Sequence, residues 1–208
     1  MLLRVLLVTS CAALSACTLI KPPAAVNMQS YVMELPAPAA GHPAKRVRPL
    51  ARALVVAELS TRPGYDTPRM AYVKRDFTLD YYANSQWADT PARMLQPLLV
   101  SALEATGHYS AVLRAPAPIA ASLRLDVELV RLQQVFTERP SHMRITLRVL
   151  LIDASEGRVL GQREFDADMP TASDNAYGGV RALNKELAPL LNEVAAFCVG
   201  LTPSVGTP

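Results

Sequence analysis

Residues 123–129 read Leu123-Arg124-Leu125-Asp126-Val127-Glu128-Leu129, an uninterrupted alternation of apolar and charged side chains. Successive side chains of a β-strand point to opposite faces of a sheet, so the alternation predicts a strand with one buried face and one wet face. Residues 144–151 repeat the pattern, and residues 158–166 follow a turn at 153–157. The three segments predict an antiparallel meander at the centre of the fold.

The charged side chains of this meander should lie on its wet face. Arg144 and Arg148 belong to the second strand, and Asp126 and Glu128 belong to the first. Opposite charges on neighbouring strands stabilise a sheet when they face each other. We therefore expect these two arginines to face these two carboxylates.

One helix is predicted between the first and second halves of the chain. Thr90 and Pro91 form a good helix start, a capping hydroxyl followed by a proline at the first helical position, and Gly107 provides a stop. Pro97 removes a hydrogen bond and should bend the first turns. The apolar stripe recurs at helical spacing at Leu95, Leu98, Leu99, Ala102 and Leu103.

A second helix is predicted at the C-terminal end. Thr171-Ala172-Ser173-Asp174 resembles a capping box ahead of it, and Pro189 should bend it as Pro97 bends the first. Gly178-Gly179 is more typical of close packing than of a phosphate-binding turn. The apolar stripe consists of Val180, Leu183, Leu187, Leu190, Leu191, Val194 and Cys198.

Shorter strands are predicted before the first helix. Residues 31–36, Tyr-Val-Met-Glu-Leu-Pro, form a short alternating segment that stops at proline, as an edge strand does. Residues 53–59 are nearly all apolar, which predicts a strand covered on both faces. Met70 to Val73 and Phe77 to Tyr82 predict a hairpin that ends at Asn84-Ser85. The chain is thus expected to be a single α+β domain, a mainly antiparallel sheet packed by two principal helices.

The N-terminus has the layout of a signal peptide, with Arg4 ahead of an apolar run that is too short to span a membrane. The run closes with Leu14-Ser15-Ala16-Cys17, which resembles the bacterial lipobox. The thiol of Cys17 would then carry acyl chains, palmitate among them, and the mature chain would begin there. The alternatives are an uncleaved N-terminal anchor and a secreted protein without lipid.

This interpretation divides the chain into four parts. Residues 1–16 form a lipoprotein signal peptide, 17–30 a lipidated tether, 31–198 the folded domain and 199–208 a flexible tail. In lipoproteins of two-membrane bacteria, Asp after the acylated cysteine is the usual inner-membrane retention signal. Thr18 stands at that position. We therefore expect the outer membrane, with the domain facing the periplasm.

Composition excludes some functions and narrows the chemistry. The formal net charge is +3 and both signs are interspersed, so we expect no nucleic-acid partner. His42, His108 and His142 are not at metal-ligand spacing, and no nucleophile elbow, phosphate loop or metalloprotease motif is present. We predict no catalytic residue, no metal site and no cofactor. Cys198 has no partner in the mature chain and is expected to be a small buried hydrophobe.

Aromatic residues concentrate between the first apolar strand and the first helix. Tyrosine and tryptophan are enriched in protein interfaces, which makes this cluster a candidate partner-binding surface. The alternative is that Trp87 packs the hairpin onto the first helix. The partner-binding candidates are Tyr65, Tyr72, Tyr81 and Tyr82.

The order of these features resembles a known family, the ABC-type transport auxiliary lipoprotein component family. The resemblance extends over residues 14–198, and its most specific part is the hairpin that leads from Tyr82 to Trp87 ahead of the helix. It implies an α/β domain with an antiparallel sheet and two principal helices. Cys17 is the one functional position that it transfers to this chain.

The resemblance also implies a function without catalysis. Such lipoproteins are similar to accessory subunits of systems that pair an ABC permease and ATPase with MCE-domain proteins to move lipids between membranes. The expected partners are therefore the membrane, through lipidated Cys17, an MCE-domain protein and the ABC subunits. A homo-oligomer is compatible with this role because a lipid conduit needs a channel. The rivals are an envelope-assembly lipoprotein that supports an unrelated outer-membrane complex, and a lipid-anchored enzyme.

Overall fold

The computed structural model describes residues 27–35, 52–117 and 120–202. The leader, Cys17, most of the tether and the end of the predicted tail lie outside these ranges. The described residues form one α+β domain, as the sequence predicts. Its elements are β1 (Gln29–Tyr31), β2 (Leu54–Val56), β3 (Ser60–Thr61), β4 (Arg69–Val73), β5 (Asp80–Trp87), α1 (Pro91–Ala105), β6 (Val112–Arg114), β7 (Leu123–Val135), β8 (His142–Asp153), β9 (Arg158–Pro170) and α2 (Ala176–Leu201).

The predicted meander is confirmed and is longer than its sequence pattern. Strands β7, β8 and β9 pair antiparallel along nearly their whole lengths. β7 has a bulge between Leu129 and Arg131. Up to Leu129 the odd-numbered residues of the strand are buried, and from Val130 onward the even-numbered ones, such as Leu132, are buried instead. Because a bulge inserts one extra residue, the alternation breaks there while the strand continues to Val135.

The predicted ion pairs across the meander are half right. Arg148 donates a hydrogen bond to Glu128 at 2.6 Å, as expected. Arg144 instead binds Asp166 of β9, at 2.8 Å, and Asp126 is bound by Arg124 of its own strand. The prediction for Arg144 was wrong because the third strand supplies a carboxylate on the other side of β8.

The shorter strands lie along the other side of β7 and run parallel to it. β2, β3 and β4 pair with successive stretches of β7, and β6 extends the sheet beyond β2. Both helices pack on one face of this sheet. The prediction that residues 53–59 are covered on both faces was therefore wrong, and Val55 on the open face is half-buried.

The predicted hairpin exists, with different bounds. β4 pairs antiparallel with β5, but Phe77 and Thr78 belong to the turn, where the carbonyl of Arg75 accepts hydrogen bonds from the backbone and hydroxyl of Thr78. β5 also continues past Asn84-Ser85 to Trp87, because β1 pairs in parallel with its last residues. Only sheet pairing distant in sequence keeps these polar residues in a strand.

The first segment includes an edge strand, as predicted, but the strand overlaps the predicted residues 31–36 only at Tyr31. β1 covers Gln29–Tyr31 at the edge beside β5, and residues 32–35 leave the sheet. The side-chain amide of Asn184 in α2 holds this segment, with its oxygen accepting from the Glu34 N–H at 3.3 Å and its nitrogen donating to the Val32 carbonyl at 3.2 Å. Met33 is thereby buried against the helices.

The apolar stripes of both helices form the core. α1 starts as predicted, with Thr90 at the cap position and Pro91 as the first helical residue, but the predicted capping bonds of both helices differ from those observed. The Thr90 hydroxyl makes no capping bond, and the carboxylate of Asp89 accepts from the Thr90 N–H instead. The cap of α2 is Asn175, whose side-chain oxygen accepts from the Gly178 N–H at 2.8 Å. The predicted capping box is wrong because the Thr171 hydroxyl is buried against Ser141.

Both helices contain an internal proline, and only the first ends where the sequence predicts. Gly107, at φ +61°, follows the end of α1 and donates to the carbonyl of Glu104, which confirms the predicted stop. α2 extends to Leu201, so the first residues assigned to the tail are helical. Each helix continues through its proline, Pro97 or Pro189, and the bends remain predictions.

Candidate partner-docking surface

Two of the four candidate tyrosines lie on the open face of the sheet. Tyr65 sits in the loop before β4, and its hydroxyl donates to the side-chain oxygen of Gln133 on β7. Tyr81 on β5 donates to the carbonyl of Gly64 at 3.0 Å, and the guanidinium of Arg69 lies 3.8 Å above its ring. Burial raises the pKa of Tyr65, which keeps its hydroxyl a hydrogen-bond donor. The hydrogen bonds of Tyr65 and Tyr81 together fasten this loop to the sheet.

The other two tyrosines lie on the helix side of the hairpin. The rings of Tyr72 and Tyr82 meet edge to face with centroids 4.9 Å apart, and Phe136 adds a second such contact to Tyr72 at 5.9 Å. The ammonium of Lys74 lies 5.0 Å from the ring of Tyr72. These side chains line a depression of about 270 Å³ beside the start of α2. An aromatic wall with a cation at its edge can accept an apolar or aromatic side chain.

A buried polar network holds this hairpin against α2. Tyr82 donates to the side-chain oxygen of Gln134 at 2.8 Å, and burial raises the pKa of this tyrosine. The side-chain nitrogen of Gln134 donates to the Ser141 hydroxyl at 2.8 Å, and Ser141 contacts the Thr171 hydroxyl at 2.7 Å. Gln134, Ser141 and Thr171 are buried. Because every polar group is satisfied, the network fixes the hairpin rigidly.

The structure therefore does not bring the four tyrosines together into one patch. They form two pairs on opposite faces of the hairpin, and all four are half-buried. Trp87 is 1% exposed and belongs to the core with residues of both helices, which favours the packing interpretation for that residue. The hydroxyls of Tyr65, Tyr81 and Tyr82 each donate a hydrogen bond to another part of the fold. Among the described residues, the Tyr72 hydroxyl makes no such bond, so Tyr72 is the candidate whose side chain is most available for contact with a partner.

The most exposed aromatic residue of the hairpin was missed from the sequence. Phe77 lies in the turn between β4 and β5 with its side chain fully exposed and its backbone at φ +63°. Local sequence favours a strand there, because bulky residues disfavour the left-handed backbone region. No signal in the sequence would have placed Phe77 at the tip of a turn.

The open face of the sheet carries a ladder of paired charges. Arg148 bridges Glu128 at 2.6 Å and Glu164 at 3.1 Å, and Arg144 bridges Asp166 at 2.8 Å. Burial alone would raise the pKa of Asp166, but hydrogen bonds from Arg144 and from the Thr146 hydroxyl hold it below its ordinary value. Such pairs are each worth about 0–1 kcal/mol at a surface, so the ladder neutralises the face more than it stabilises the fold.

Two cavities, of about 650 and 590 Å³, open beside the helices. The larger of the two lies between α1 and α2 beneath residues 33–35 and has mostly apolar walls that include Leu98 and Leu191. The smaller is a polar cleft at the start of α1. Among the described residues, no group of three or more His, Cys, Asp or Glu side chains is placed to hold a metal ion. No helix in the described ranges is long and apolar enough to cross a membrane.

Comparison with known proteins decides the family. The sequence model of the ABC-type transport auxiliary lipoprotein component family matches residues 31–195. The chain belongs to this family. The family predicted from the sequence is thus confirmed. It is a family of transport auxiliary lipoproteins, which makes the chain an envelope protein associated with a membrane and a transporter.

Solved structures support the fold of this auxiliary lipoprotein. Protein XCC0632 from Xanthomonas campestris is similar with a TM-score of 0.70 and 23% sequence identity, over 84% of this chain and 95% of that one. A second solved structure, of an uncharacterized protein, is similar with a TM-score of 0.64 and 17% identity, over 82% and 98% of the two chains. A search of curated proteins found no significant match.

Proposed function

We propose that this protein is an outer-membrane-anchored auxiliary subunit of an ABC/MCE-type system that moves lipids, phospholipids among them, between the two membranes. The observation that carries the proposal is the family match over residues 31–195, together with the lipobox at Leu14 to Cys17. The subunit docks or bridges the periplasmic part of the assembly by protein–protein contact. It supplies no chemistry of its own.

Lipidated Cys17 is the anchor in this proposal. Each methylene buried in a leaflet contributes about 0.8 kcal/mol, so two or three acyl chains hold the protein at the membrane almost permanently. Thr18 directs the lipoprotein to the outer membrane, with the domain in the periplasm. The anchor therefore fixes one end of the bridge, and the folded domain provides the other.

The docking surface for an MCE-domain protein or an ABC subunit is the pair of tyrosine clusters. Tyr72 is the strongest contact in this proposal, because its ring lines the aromatic depression with Lys74 at its edge. The fixed hydroxyls of Tyr65, Tyr81 and Tyr82 keep the surrounding surface rigid, which lowers the entropic cost of binding. The long edge of β9, which pairs only with β8 among the described residues, offers a second site for strand addition.

Affinity purification of the intact lipoprotein from solubilised envelopes tests the proposal. An MCE-domain protein or an ABC subunit should co-purify with the wild-type chain. In cells, Cys17→Ala should release the protein from the outer-membrane fraction. Recovery of unrelated outer-membrane proteins alone would contradict the transport role and favour the envelope-assembly alternative.

The docking surface needs its own comparison. Tyr72→Ala should reduce partner recovery. It removes the ring contacts to Tyr82 and Phe136, each worth about 0.5–1.5 kcal/mol, so the free energy of unfolding should fall by no more than about 3 kcal/mol and the protein should stay folded. Tyr177→Ala is the matched control, because Tyr177 is exposed and lies outside both tyrosine clusters. Equal recovery with both variants would show that the tyrosine surface is not the docking site.

A further inference from the structure

The tip of the β4–β5 hairpin presents an apolar side chain that the fold does not use. Phe77 is fully exposed, and Leu79 beside it is more than one-third exposed. The turn is nevertheless well defined, because the Arg75 carbonyl accepts from both the N–H and the hydroxyl of Thr78 at 3.2 and 2.8 Å. A positive φ at a bulky residue is unfavourable, and such strain occurs most often at functional sites.

The path of the chain into the sheet shows which way this tip points. β1 runs parallel to β5, with Gln29 beside Ser85 and Tyr31 beside Trp87. The residues before Gln29 therefore enter the sheet from the end at which β5 begins, and the tip lies at that same end. The tip and the N-terminal tether leave the domain on the same side.

The length of the tether allows the tip to reach the membrane that holds Cys17. From Gln29 to the level of Asp80, where β5 begins, the distance along the strand is about 17 Å, at ~3.3 Å per residue. The roughly 12 residues between Cys17 and Gln29 can span at most about 40 Å whatever their conformation. A leaflet anchored through Cys17 is therefore within reach of the tip.

Two other exposed apolar side chains, Met28 and Tyr177, lie toward the same end of the molecule. Met28 immediately precedes β1, and Tyr177 lies in the first turn of α2, whose start is bound to the β7–β8 loop through Asp174 and Ser141. Both side chains are about half exposed. By contrast, Val32 follows the far end of β1, and Val159 follows the β8–β9 turn at the opposite end of the sheet.

We propose that the hairpin tip is a second membrane contact, in which Phe77 inserts into the headgroup region of the leaflet that carries the Cys17 anchor. The proposal rests on the lipidation of Cys17, which is part of the proposed function. A single phenyl ring binds a membrane weakly by itself. The lipid anchor makes the contact between the tip and the membrane intramolecular. The tip therefore meets the surface at a high effective concentration, and even a weak contact is populated.

The charges at the tip define what kind of contact this is. Lys74 and Arg75 are balanced by Asp76 and Asp80, so the tip has no net charge to attract an anionic leaflet. Burial of the apolar ring supplies the association instead. Membrane contact should therefore depend little on salt or on the fraction of anionic lipid. The contact would orient the domain relative to the membrane, with the strands pointing toward the leaflet.

An environment-sensitive fluorophore on the lipidated full chain tests this proposal. Asp76→Cys places the probe beside Phe77, and Glu156→Cys places it in the β8–β9 turn at the opposite end. Cys198 is fully buried and is not labelled in the folded protein. In vesicles of zwitterionic lipid, emission from position 76 should shift to shorter wavelength and be quenched by shallow lipid-attached quenchers. The emission wavelength of the probe at position 156 should not change on vesicles, and the lipid-attached quenchers should not quench it.

Phe77→Ala, introduced beside the probe at position 76, should lower the equilibrium constant between the inserted and the free tip roughly tenfold to a hundredfold, the change expected for losing a buried phenyl ring. Val159→Ala is the matched exposed apolar control and should leave the signal unchanged. A probe at position 76 that remains in water on vesicles would overturn the proposal. So would a Phe77→Ala variant that lowers partner recovery and leaves the vesicle signal intact, because the tip would then be a protein-docking element.

The mass of the purified chain separates this proposal from the anchor on which it rests. A chain without acyl groups at Cys17 would refute the lipid anchor, not the tip contact. The same probe measurement is then made with the chain held to nickel-chelating vesicles through a histidine tag ahead of residue 18. Insertion of the tip there supports the proposal, and its absence overturns it.

Discussion

Replacing Gly178 with alanine should destabilise the protein strongly, although alanine is the better helix former. A Cβ at this position would lie 2.1 Å from the backbone carbonyl oxygen of Ser173 and 2.6 Å from its hydroxyl. Ordinary contacts of a Cβ begin near 3.4 Å, and a backbone atom cannot turn away as the end of a side chain can. The turn that leads into α2 therefore has to move.

The size of the effect follows from what moves with that turn. Overpacking costs about 1–3 kcal/mol. Displacing Ser173 also disturbs the cap at Asn175, whose oxygen accepts from the Gly178 N–H, and loss of such a cap costs about 1 kcal/mol. The intrinsic gain of alanine over glycine in a helix is at most about 1 kcal/mol. We expect a net loss of about 1–3 kcal/mol in the free energy of unfolding.

Urea unfolding followed by the fluorescence of Trp87 measures this loss, because Trp87 is the single tryptophan and is buried in the core. Thermal unfolding should show Tm lower by about 2–4 °C for each kcal/mol lost, the range typical of chains of this length. Gly200→Ala is the control in the same helix, since a Cβ there meets no atom within 4 Å. That variant should be as stable as wild type or more stable by up to ~1 kcal/mol. A Gly178→Ala protein with an unchanged urea midpoint would refute the steric reasoning.

Three further predictions concern buried polar groups. Burial raises the pKa of Cys198 to about 12, so a thiol reagent at neutral pH should label this residue only after unfolding in urea; fast labelling of the folded chain would contradict its burial. Hydrogen bonds from Ser155 and Arg52 lower the pKa of Asp153 from 3.8 to about 2, so its ionised form stabilises the fold above pH 4 and this contribution is lost as the pH falls toward 2. The urea midpoint of Asp153→Asn should therefore fall less between pH 5 and pH 2 than that of wild type, and equal slopes would argue against the assignment. Tyr82→Phe leaves the side-chain oxygen of Gln134 short of a donor in a buried site and should cost about 1–3 kcal/mol, whereas Tyr177→Phe at an exposed position should cost nothing measurable in the same urea experiment.

The spacing of apolar residues along the chain was sufficient to predict the main strands and helices, because a half-buried strand repeats every two residues and a helix about every 3.6. The alternation at residues 123–129 reports a side-chain geometry that every half-buried strand shares, so it predicted β7 before its partners were known. The helical stripes are equally local, and Leu183 and Leu187 of α2 are fully buried as predicted. Chain order and these two periods were enough for the α+β class.

The helix starts and the ion pairs depended on contacts that the sequence does not display. Thr171 has the residue type of a helix cap, but tertiary packing buries its hydroxyl against Ser141 and leaves Asn175 as the cap. Arg144 had two suitable carboxylates on the preceding strand, and the third strand provided a nearer one in Asp166. Several local solutions were available in each case, and the packed structure selected one.

The candidate site shows the same division. Composition alone indicated that the hairpin carries an unusual number of aromatic residues. The alternation of side chains in β5 then separated Tyr81 from Tyr82, because neighbouring residues of a strand face opposite sides. Tyr65 lies in the loop before β4, and its hydrogen bond to Gln133 of β7 holds it on the open face. The turn placed Phe77 at the tip in a backbone conformation that its residue type disfavours.

The sequence by itself determined the two helical stripes, the meander and the family, because their signals are patterns of residue types along the chain; the leader and the lipobox remain predictions from the sequence. Only the tertiary structure decided the order of the strands, the split of the tyrosines and the common side on which the tether and the hairpin tip emerge. These depend on pairings such as Gln29 with Ser85 and Ala71 with Gln133, which join residues far apart in sequence. Their free energy comes from burial and hydrogen bonding in the assembled sheet, which no local segment contains.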